Sequence, residues 1–274
     1  MEIWHVSRAE TVPMLSQRWP DLPWNKARAI DTGWDFRVWI LDERWVVRAA
    51  RTHAASWRLN REWRLLDSFL SEIPFRVPRY ERRIIGAGVY PCIPGEALPD
   101  NREPTGPTLY AIREFLDWMG RKVPQAPPDI LRRRWTRSYL AWSQKALREV
   151  EPLLSVKEGR RIRALLGEAS ERLASETWNP VLLHGDLVPE HVLQDGQGAL
   201  GFLDFGDWRW GDPAFDWSGI VGLEHVIPDS GRETWPARIT GYRLTARLTG
   251  ISWALRMGDV EGSEMAMRML RRLI

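Results

Sequence analysis

The chain has 274 residues, 44% of them apolar and 27% charged, which is the composition of a globular protein able to bury a substantial core. The 39 basic and 36 acidic residues leave a net charge of +3, and the arginines are interspersed with acids, so no nucleic-acid-binding surface is expected. A single cysteine excludes an intrachain disulfide, and no stretch approaches the ~20 apolar residues that span a membrane, so we expect a cytoplasmic protein without a membrane partner.

The first third of the sequence is rich in strand patterns. A short helix is expected over residues 11–20. Strands are expected at Ala27–Thr32, Phe36–Leu41, Trp45–Ala50, Arg79–Ile85 and Val89–Ile93. The intervening turns are expected at Gly33-Trp34-Asp35, Asp42-Glu43-Arg44 and Gly86-Ala87-Gly88. A proline-rich stretch from Pro91 to Pro99 ends this pattern.

A helix predicted from Ala54 to Leu70 carries a carboxylate on its apolar face. The residues of that face are Leu59, Glu62, Leu66 and Phe69. A carboxylate that faces a sheet needs a partner, because burying an unpaired charge is costly. Arg58, four residues before Glu62 on the same helix, is one candidate.

The rest of the sequence is mostly helical. Helices are expected at Thr108–Met119, Asp129–Val150 with Asp129 as N-cap, Val156–Ser175, Phe215–Leu223, Arg238–Met257 and Val260–Leu273. A β-rich beginning, a proline-rich segment and a helical remainder together indicate a two-lobed α+β fold.

Most of the carboxylates and histidines that could serve chemistry lie in residues 181–216. Two short apolar runs, 181–183 and 200–203, each end in a polar cluster. These clusters are His184-Gly185-Asp186 with His191 following, and Asp204-Phe205-Gly206-Asp207 with Asp212 and Asp216 following. We expect Asp186 and Asp204 at the ends of adjacent strands, where two carboxylates can bind Mg²⁺ and phosphate beside a hydroxyl group. Alternatively, the region is a strand-turn-strand unit whose polar residues only cap turns.

The motif H-G-D-x-x-x-x-H followed by D-F-G-D resembles the H-R-D-x-x-x-x-N and D-F-G motifs of protein kinases. With H-G-D in place of H-R-D, the chain resembles the aminoglycoside phosphotransferase family, kinase-like enzymes that phosphorylate small molecules. The histidine in place of asparagine is similar to the macrolide phosphotransferases and to one branch of the aminoglycoside enzymes, several of which prefer GTP. The resemblance implies a protein-kinase-like fold, with a small β-rich nucleotide-binding lobe over residues 1–93 and a larger helical lobe over 94–274 that carries the catalytic loop and substrate site.

The resemblance also implies roles for the two polar clusters. Asp186 would orient the substrate hydroxyl and accept its proton, and Asp204 and His191 would coordinate the Mg²⁺ that bridges the nucleotide phosphates. His184 is expected to tie the loop together. Imidazole is a poorer Mg²⁺ ligand than an amide oxygen and binds only when neutral, so metal affinity should weaken in acid if His191 is a ligand.

In the N-terminal lobe, the resemblance implies a nucleotide site. Arg48 occupies the position of the kinase lysine, so it would brace the phosphates, with Glu62 as its partner. Cys92 and Ile93 would offer backbone groups to the purine at the hinge. The turn at residues 33–35 takes the place of the kinase phosphate loop, but it contains one glycine. As a phosphate-binding signature it is weak, and the sequence alone favours an ordinary hairpin.

The function implied is transfer of the γ-phosphoryl of ATP or GTP, with Mg²⁺, to a hydroxyl of an antibiotic-like substrate such as an aminoglycoside or a macrolide. A housekeeping metabolite kinase of the same fold, or a nucleotide-binding module that has lost the reaction, are the alternatives. Residues 215–274 contain seven acids and eight arginines, which gives no support for a polycationic substrate. The expected partners are therefore a nucleotide and a small hydroxylated molecule, while the oligomeric state stays open.

Overall fold

The computed structural model describes residues 3, 7–30, 33, 35–69, 71–100, 102–122, 124–229 and 233–274. The helices are α1 (Arg8–Arg18), α2 (His53–Phe69), α3 (Gly106–Gly120), α4 (Pro128–Val150), α5 (Val156–Ser175), α6 (Ala214–Trp217), α7 (Trp235–Met257) and α8 (Val260–Arg271). The strands are β1 (Ala27–Ile30), β2 (Phe36–Leu41), β3 (Trp45–Ala50), β4 (Arg82–Ile84), β5 (Ala87–Pro91), β6 (Glu96–Ala97), β7 (Val181–Leu183), β8 (Val192–Gln194), β9 (Leu200–Phe202) and β10 (Arg209–Gly211).

The chain divides into two compact units. The first unit comprises Met1–Asn101 and Val188–Trp208, and the second comprises Arg102–Leu187 and Arg209–Ile274. The lobe boundary between residues 93 and 94 stays a prediction.

The first unit is built on a five-stranded antiparallel sheet with the order β1-β2-β3-β5-β4. Its central strands contribute Leu41, Val47 and Val89 to a core that α1 also lines. Helix α1 begins earlier than the sequence pattern predicts, because Ser7 and Glu10 form a capping box that satisfies its first backbone N–H groups.

The strands predicted for the N-terminal part are confirmed in place and type. β2 and β3 have the predicted bounds, and Thr32 and Trp34, from the predicted first strand and turn, lie outside the described residues. The strand predicted over 79–85 is shorter and is limited to β4. The predicted glycine turn is also tighter, because Gly86 adopts a left-handed φ of 81° and Ala87 already begins β5.

Helix α2 confirms the periodicity that places a carboxylate among apolar side chains. Its buried residues include Leu59, Leu66 and the fully buried Glu62. Thr52 stands just before the helix and accepts a hydrogen bond from the Ala55 N–H at 3.1 Å, so the first turn is capped. Leu70, the last residue of the predicted helix, lies outside the described residues.

The first unit also contains a small sheet with the order β6-β8-β9. Strand β8, which the sequence pattern does not reveal, pairs antiparallel with β9, and β6 pairs with its other edge. The D-F-G-D segment begins two residues after β9, so this sheet fixes where the segment starts.

The second unit is a helical assembly with a two-stranded sheet, β7 and β10. Its core includes Val150, Ile162, Leu248, Ile251 and Leu270, contributed by α4, α5, α7 and α8. Among the described residues, no helix is both long enough and apolar enough to cross a membrane.

Three expectations for this part of the chain are wrong. The N-cap of helix α4 is Pro127 rather than Asp129. The helix begins earlier than predicted because Pro128 suits the first helical position. The helix expected over 215–223 is limited to α6, because Gly219 packs so tightly that a Cβ there would overlap the Leu187 carbonyl, and Gly222 has a φ of 93°. The strands β7 and β9 do not pair with each other but belong to different sheets, so Asp186 and Asp204 do not follow neighbouring strands.

Candidate active site

A buried arginine is the centre of the polar cluster in the first unit. Arg48 lies near the end of β3, where its Nη1 donates to both carboxylate oxygens of Glu62, at 2.8 and 3.1 Å. The same nitrogen lies 3.2 Å from the Tyr80 hydroxyl, and Nη2 lies 3.1 Å from Oδ2 of Asp204. Of the two candidate partners for Glu62, the structure therefore selects Arg48, while Arg58 pairs with Asp35 instead.

The electrostatics of this cluster follow from burial. Complete burial raises the pKa of Glu62 to about 7, even though the Arg48 guanidinium lowers it. Burial lowers the pKa of Arg48, but the carboxylates of Asp204 and Glu62 outweigh it and hold that pKa well above its usual value. The guanidinium also lies 4.1 Å from the centroid of the Phe36 ring, a cation–π contact. Arg48 is therefore charged and fixed in place.

Tyr80 is a member of this cluster that sequence reasoning missed. Its hydroxyl lies 3.3 Å from Oε1 of Glu62, and its ring packs edge-on against Trp63 and Tyr90, with ring centroids 5.7 and 5.0 Å away. The ring also requires the glycine at position 88, because a Cβ there would lie 2.6 Å from Cδ1 of Tyr80. No periodic pattern surrounds Tyr80, so the sequence carries no signal for its role.

Asp204, the first aspartate of the D-F-G-D segment, has an unusual backbone conformation. Asp204 has φ 61° and ψ 64°, the left-handed region that few residues other than glycine adopt, while Phe205 is completely buried. The Leu203 N–H donates to the His191 carbonyl at 2.9 Å, and Nε2 of His191 lies 3.9 Å from Oδ2 of Asp204. The structure therefore brings together Arg48, Glu62, His191 and Asp204, four of the residues singled out in the sequence.

The donor atoms of Asp204 and His191 suit a divalent cation unequally. A carboxylate oxygen is a preferred Mg²⁺ ligand, whereas imidazole favours transition metals. Over the residues that the structure describes, no group of three or more His, Cys, Asp or Glu side chains is arranged to hold a metal. Asp204 thus fits the Mg²⁺ that a nucleotide brings with it, and ligation by His191 stays a prediction.

Two reciprocal hydrogen bonds join helix α2 to Trp208, the residue that follows the D-F-G-D segment. The Arg61 side chain donates to the Trp208 carbonyl, and the Trp208 indole N–H donates to the Arg61 carbonyl at 3.0 Å. The guanidinium of Arg61 also lies between the rings of Trp57 and Trp208, at 4.8 and 5.0 Å from their centroids. Glu62, the next residue of α2, is held in its position by the same contact.

The H-G-D loop belongs to the second unit, where buried groups fix its backbone. Asp216, on α6, accepts the His184 N–H at 2.7 Å and the Gly185 N–H at 3.0 Å. The Asp186 N–H donates to Nδ1 of the fully buried His184 at 3.3 Å, so His184 does tie the loop together as expected. Burial raises the pKa of Asp216 to about 6, against the effect of the two backbone N–H groups.

A second buried aspartate supports the segment that leads into α6. Asp212 accepts the Tyr242 hydroxyl at 2.9 Å and the Ala214 N–H at 3.2 Å, and its Oδ1 lies 3.5 Å from Nη1 of Arg238. Asp212 and Asp216 therefore both make structural contacts within the second unit.

The hinge segment offers fewer backbone groups than expected. The Cys92 N–H donates to the Arg44 carbonyl at 2.8 Å, so Cys92 could contribute only its carbonyl oxygen to a ligand. Burial raises the pKa of the Cys92 thiol, which makes it a poor nucleophile. The roles of Cys92 and Ile93 in purine binding stay predictions.

Comparison with known proteins identifies the family of this chain and supports its fold. The sequence matches the phosphotransferase enzyme family over residues 26–250, which is more than half of the chain. A search of curated proteins found no match.

Several solved structures resemble this chain along nearly its whole length. The GDP and kanamycin complex of APH(2")-IIIa has a TM-score of 0.78 at 19% identity and covers 97% of this chain and 98% of that one. Macrolide 2'-phosphotransferase MphH from Brachybacterium faecium, as apoenzyme, has a TM-score of 0.63 at 21% identity, covering 94% and 96%. ADP-bound aminoglycoside phosphotransferase APH(2'')-Ib has a TM-score of 0.60 at 16% identity, covering 97% of both chains. At these identities the similarity establishes the kinase-like fold.

Proposed function

Because the chain belongs to the phosphotransferase enzyme family, we propose that it transfers the γ-phosphoryl of ATP or GTP to a hydroxyl group of an antibiotic-like molecule, an aminoglycoside or a macrolide. The observation that carries the proposal is the buried Arg48, which contacts both Glu62 and Asp204. A fixed cation beside a carboxylate suited to Mg²⁺ is what a nucleotide triphosphate requires.

The reaction needs a base, a metal-binding carboxylate and a phosphate-binding cation. The substrate oxygen attacks the γ-phosphorus, the bond from that phosphorus to the β–γ bridging oxygen breaks, and ADP or GDP leaves. Asp186 orients the attacking hydroxyl and accepts its proton, with its backbone fixed by His184 and by the Asp216-bound loop. Asp204 and His191 would hold Mg²⁺, which would supply positive charge beside the nucleotide phosphates.

In the first unit, Arg48 braces the nucleotide phosphates, and its permanent charge suits this task. Glu62 and Tyr80 fix one nitrogen of the guanidinium, which leaves the other directed toward Asp204. The purine is held by the Cys92 carbonyl and by backbone groups of Ile93.

The substrate class is supported by the neighbouring folds and by the composition. Kanamycin is bound in one similar structure, and another is a macrolide 2'-phosphotransferase. The near balance of seven acids and eight arginines over residues 215–274 gives no support for a polycationic substrate, and the abundant Trp and Leu would suit a macrolide or another amphiphilic alcohol equally well. A housekeeping metabolite kinase is therefore the second candidate, and the cytoplasm, where ATP and GTP are abundant, is the proposed location.

The test is direct incubation of the purified protein with a panel of aminoglycosides, macrolides and hydroxylated metabolites. ATP and GTP are offered in parallel with Mg²⁺, and mass spectrometry detects the addition of one phosphoryl group. Thermal-shift titration with each nucleotide shows whether the donor binds, because a ligand that binds only the folded protein raises Tm. A protein that binds neither nucleotide, with or without Mg²⁺, contradicts the proposal.

A further inference from the structure

We infer that Arg58 is a second phosphate-binding arginine and that a nucleotide phosphate competes with Asp35 for its guanidinium. The inference rests on the proposed function and adds a residue to the nucleotide site. Arg58 lies on α2, one turn before Glu62, and its Nη1 forms an ion pair with Asp35. Asp35 directly precedes β2. The resemblance to kinases places the phosphate loop at this point of the sequence.

The position of Arg58 places its charge beside the D-F-G-D segment. Its Nε lies 3.9 Å from Oδ1 of Asp207, and a Cβ on Gly206 would lie 3.1 Å from the Arg58 Cβ. Burial lowers the pKa of Arg58, but the carboxylates of Asp35, Asp207 and Asp204 together raise it. Arg58 therefore shares the electrostatic environment of Asp204, the carboxylate proposed to bind Mg²⁺.

Arg48 alone leaves most of the charge of a triphosphate without a protein cation beside it. Its side chain is only 6% exposed, and its two terminal nitrogens are already directed at Glu62 and Asp204. The side chain of Arg58 is 34% exposed, so a phosphate can reach its guanidinium without unpacking the core. Asp35 is 38% exposed, so water can solvate its carboxylate once a phosphate has replaced it.

The charges of the cluster favour such an exchange. The two guanidinium groups of Arg48 and Arg58 face four carboxylates, which leaves an excess of negative charge when all are ionised. These carboxylates belong to Asp35, Glu62, Asp204 and Asp207. A polyanionic nucleotide therefore gains the most favourable electrostatic interaction if Arg58 leaves Asp35 and binds a phosphate. A guanidinium binds a phosphate in the same two-pronged way as a carboxylate, so Arg58 loses no hydrogen bond on exchange.

The experiment separates this role from a merely structural ion pair. Calorimetric titration measures the affinity of ATP, GTP, adenosine and guanosine, with Mg²⁺, for the wild type, Arg58→Gln, Asp35→Asn and the double variant. The Arg83–Asp67 pair, also an Arg–Asp pair in the first unit with both oxygens bound at 2.5 and 2.6 Å, supplies the matched controls Arg83→Gln and Asp67→Asn.

We expect Arg58→Gln to weaken triphosphate binding roughly tenfold to a hundredfold and to leave nucleoside binding unchanged, as for the loss of a charge-assisted hydrogen bond. Asp35→Asn should tighten triphosphate binding by about threefold or more, and this gain should vanish in the double variant. Both control variants should bind like the wild type.

Other results would overturn the inference. If Arg58→Gln and Asp35→Asn both weaken triphosphate and nucleoside binding alike, the pair is structural. If the gain from Asp35→Asn persists without Arg58, Asp35 acts by general repulsion and not by competing for that arginine. A wild type that binds no nucleotide refutes the proposed function itself, whereas a wild type that binds normally while Arg58→Gln is unchanged refutes only the role of Arg58.

Discussion

Replacing Glu62 by glutamine should stabilise the fold at neutral and alkaline pH. Burial raises the pKa of Glu62 to about 7, from the ordinary value of 4.5, even with Arg48 beside it. One pKa unit corresponds to about 1.4 kcal/mol, so keeping this carboxylate ionised in the folded state costs roughly 3 kcal/mol. Because the folded state holds this proton more tightly, the free energy of unfolding should fall as pH rises from 4.5 to 7.

Glutamine keeps the shape and an acceptor oxygen but carries no charge to desolvate. We therefore expect Glu62→Gln to be close to wild type at pH 5 and more stable at pH 8 by about 1–3 kcal/mol. Removing one partner of a buried ion pair often costs 3–5 kcal/mol, and the two magnitudes oppose each other. The raised pKa decides in favour of stabilisation, because it already includes the attraction of Arg48.

Urea unfolding of the wild type and of Glu62→Gln at pH 5 and pH 8 measures this difference in the free energy of unfolding. The two proteins share all other titratable groups, so the contributions of those groups cancel. Glu158→Gln is the control of opposite sign, because hydrogen bonds from Ser155 and Arg271 lower the pKa of Glu158 to about 2. The stability that Glu158 adds is fully present above pH 4.5, so its loss should be the same at pH 5 and pH 8. A Glu62→Gln variant less stable than the wild type by an equal amount at both pH values refutes the reasoning.

Three further variants probe the two units. Asp216→Ala leaves the His184 and Gly185 N–H groups without their acceptor and should destabilise the fold by roughly 2–5 kcal/mol. Burial raises the pKa of Asp216 from 3.8 to about 6, so the free energy of unfolding of the wild type falls as pH rises from 3.8 through 6. The difference in stability between the wild type and Asp216→Ala should therefore be larger at pH 5 than at pH 8. Tyr80→Phe removes the hydroxyl from Arg48 and should raise the KM for nucleotide by about threefold to tenfold while leaving Tm within a few degrees. His191→Ala should raise the Mg²⁺ concentration needed for half-maximal activity, because a metal ligand is lost.

Each of these three predictions has an outcome that would contradict it. Equal unfolding free energies for Asp216→Ala and the wild type mean that the loop does not depend on the carboxylate. If Tyr80→Phe lowers Tm strongly with KM unchanged, Tyr80 is a packing residue only. If His191→Ala leaves the metal requirement unchanged, His191 is not a ligand.

Local spacing explains which features could be predicted from sequence. The helical period alone places Glu62 on the buried face of α2, and its need for a partner leaves two candidates, of which Arg48 is confirmed. The resemblance of the H-G-D and D-F-G-D motifs to those of kinases likewise predicts the kinase-like fold, which the similarity to solved structures confirms.

Tertiary contacts explain what could not be predicted. Strand β8 has three residues, too few to show a period, so its pairing with β9 was missed and the neighbouring placement of β7 and β9 was wrong. The ion pair of Arg58 with Asp35 joins residues 23 positions apart that no periodicity relates. The helix expected after residue 215 conflicts with the close approach of Gly219 to the Leu187 carbonyl, which only the folded chain reveals.

The most direct test of a phosphoryl transfer that depends on Asp186 is a paired measurement on the wild type and Asp186→Asn. Nucleotide affinity and the rate of phosphoryl addition to the best acceptor of the panel are measured on the same preparations. We predict that Asp186→Asn binds ATP or GTP like the wild type and that its turnover falls roughly 10²- to 10⁴-fold, as for the loss of a general base. Turnover that survives the substitution, or nucleotide binding that is lost together with turnover, would contradict the assignment of Asp186 as the base.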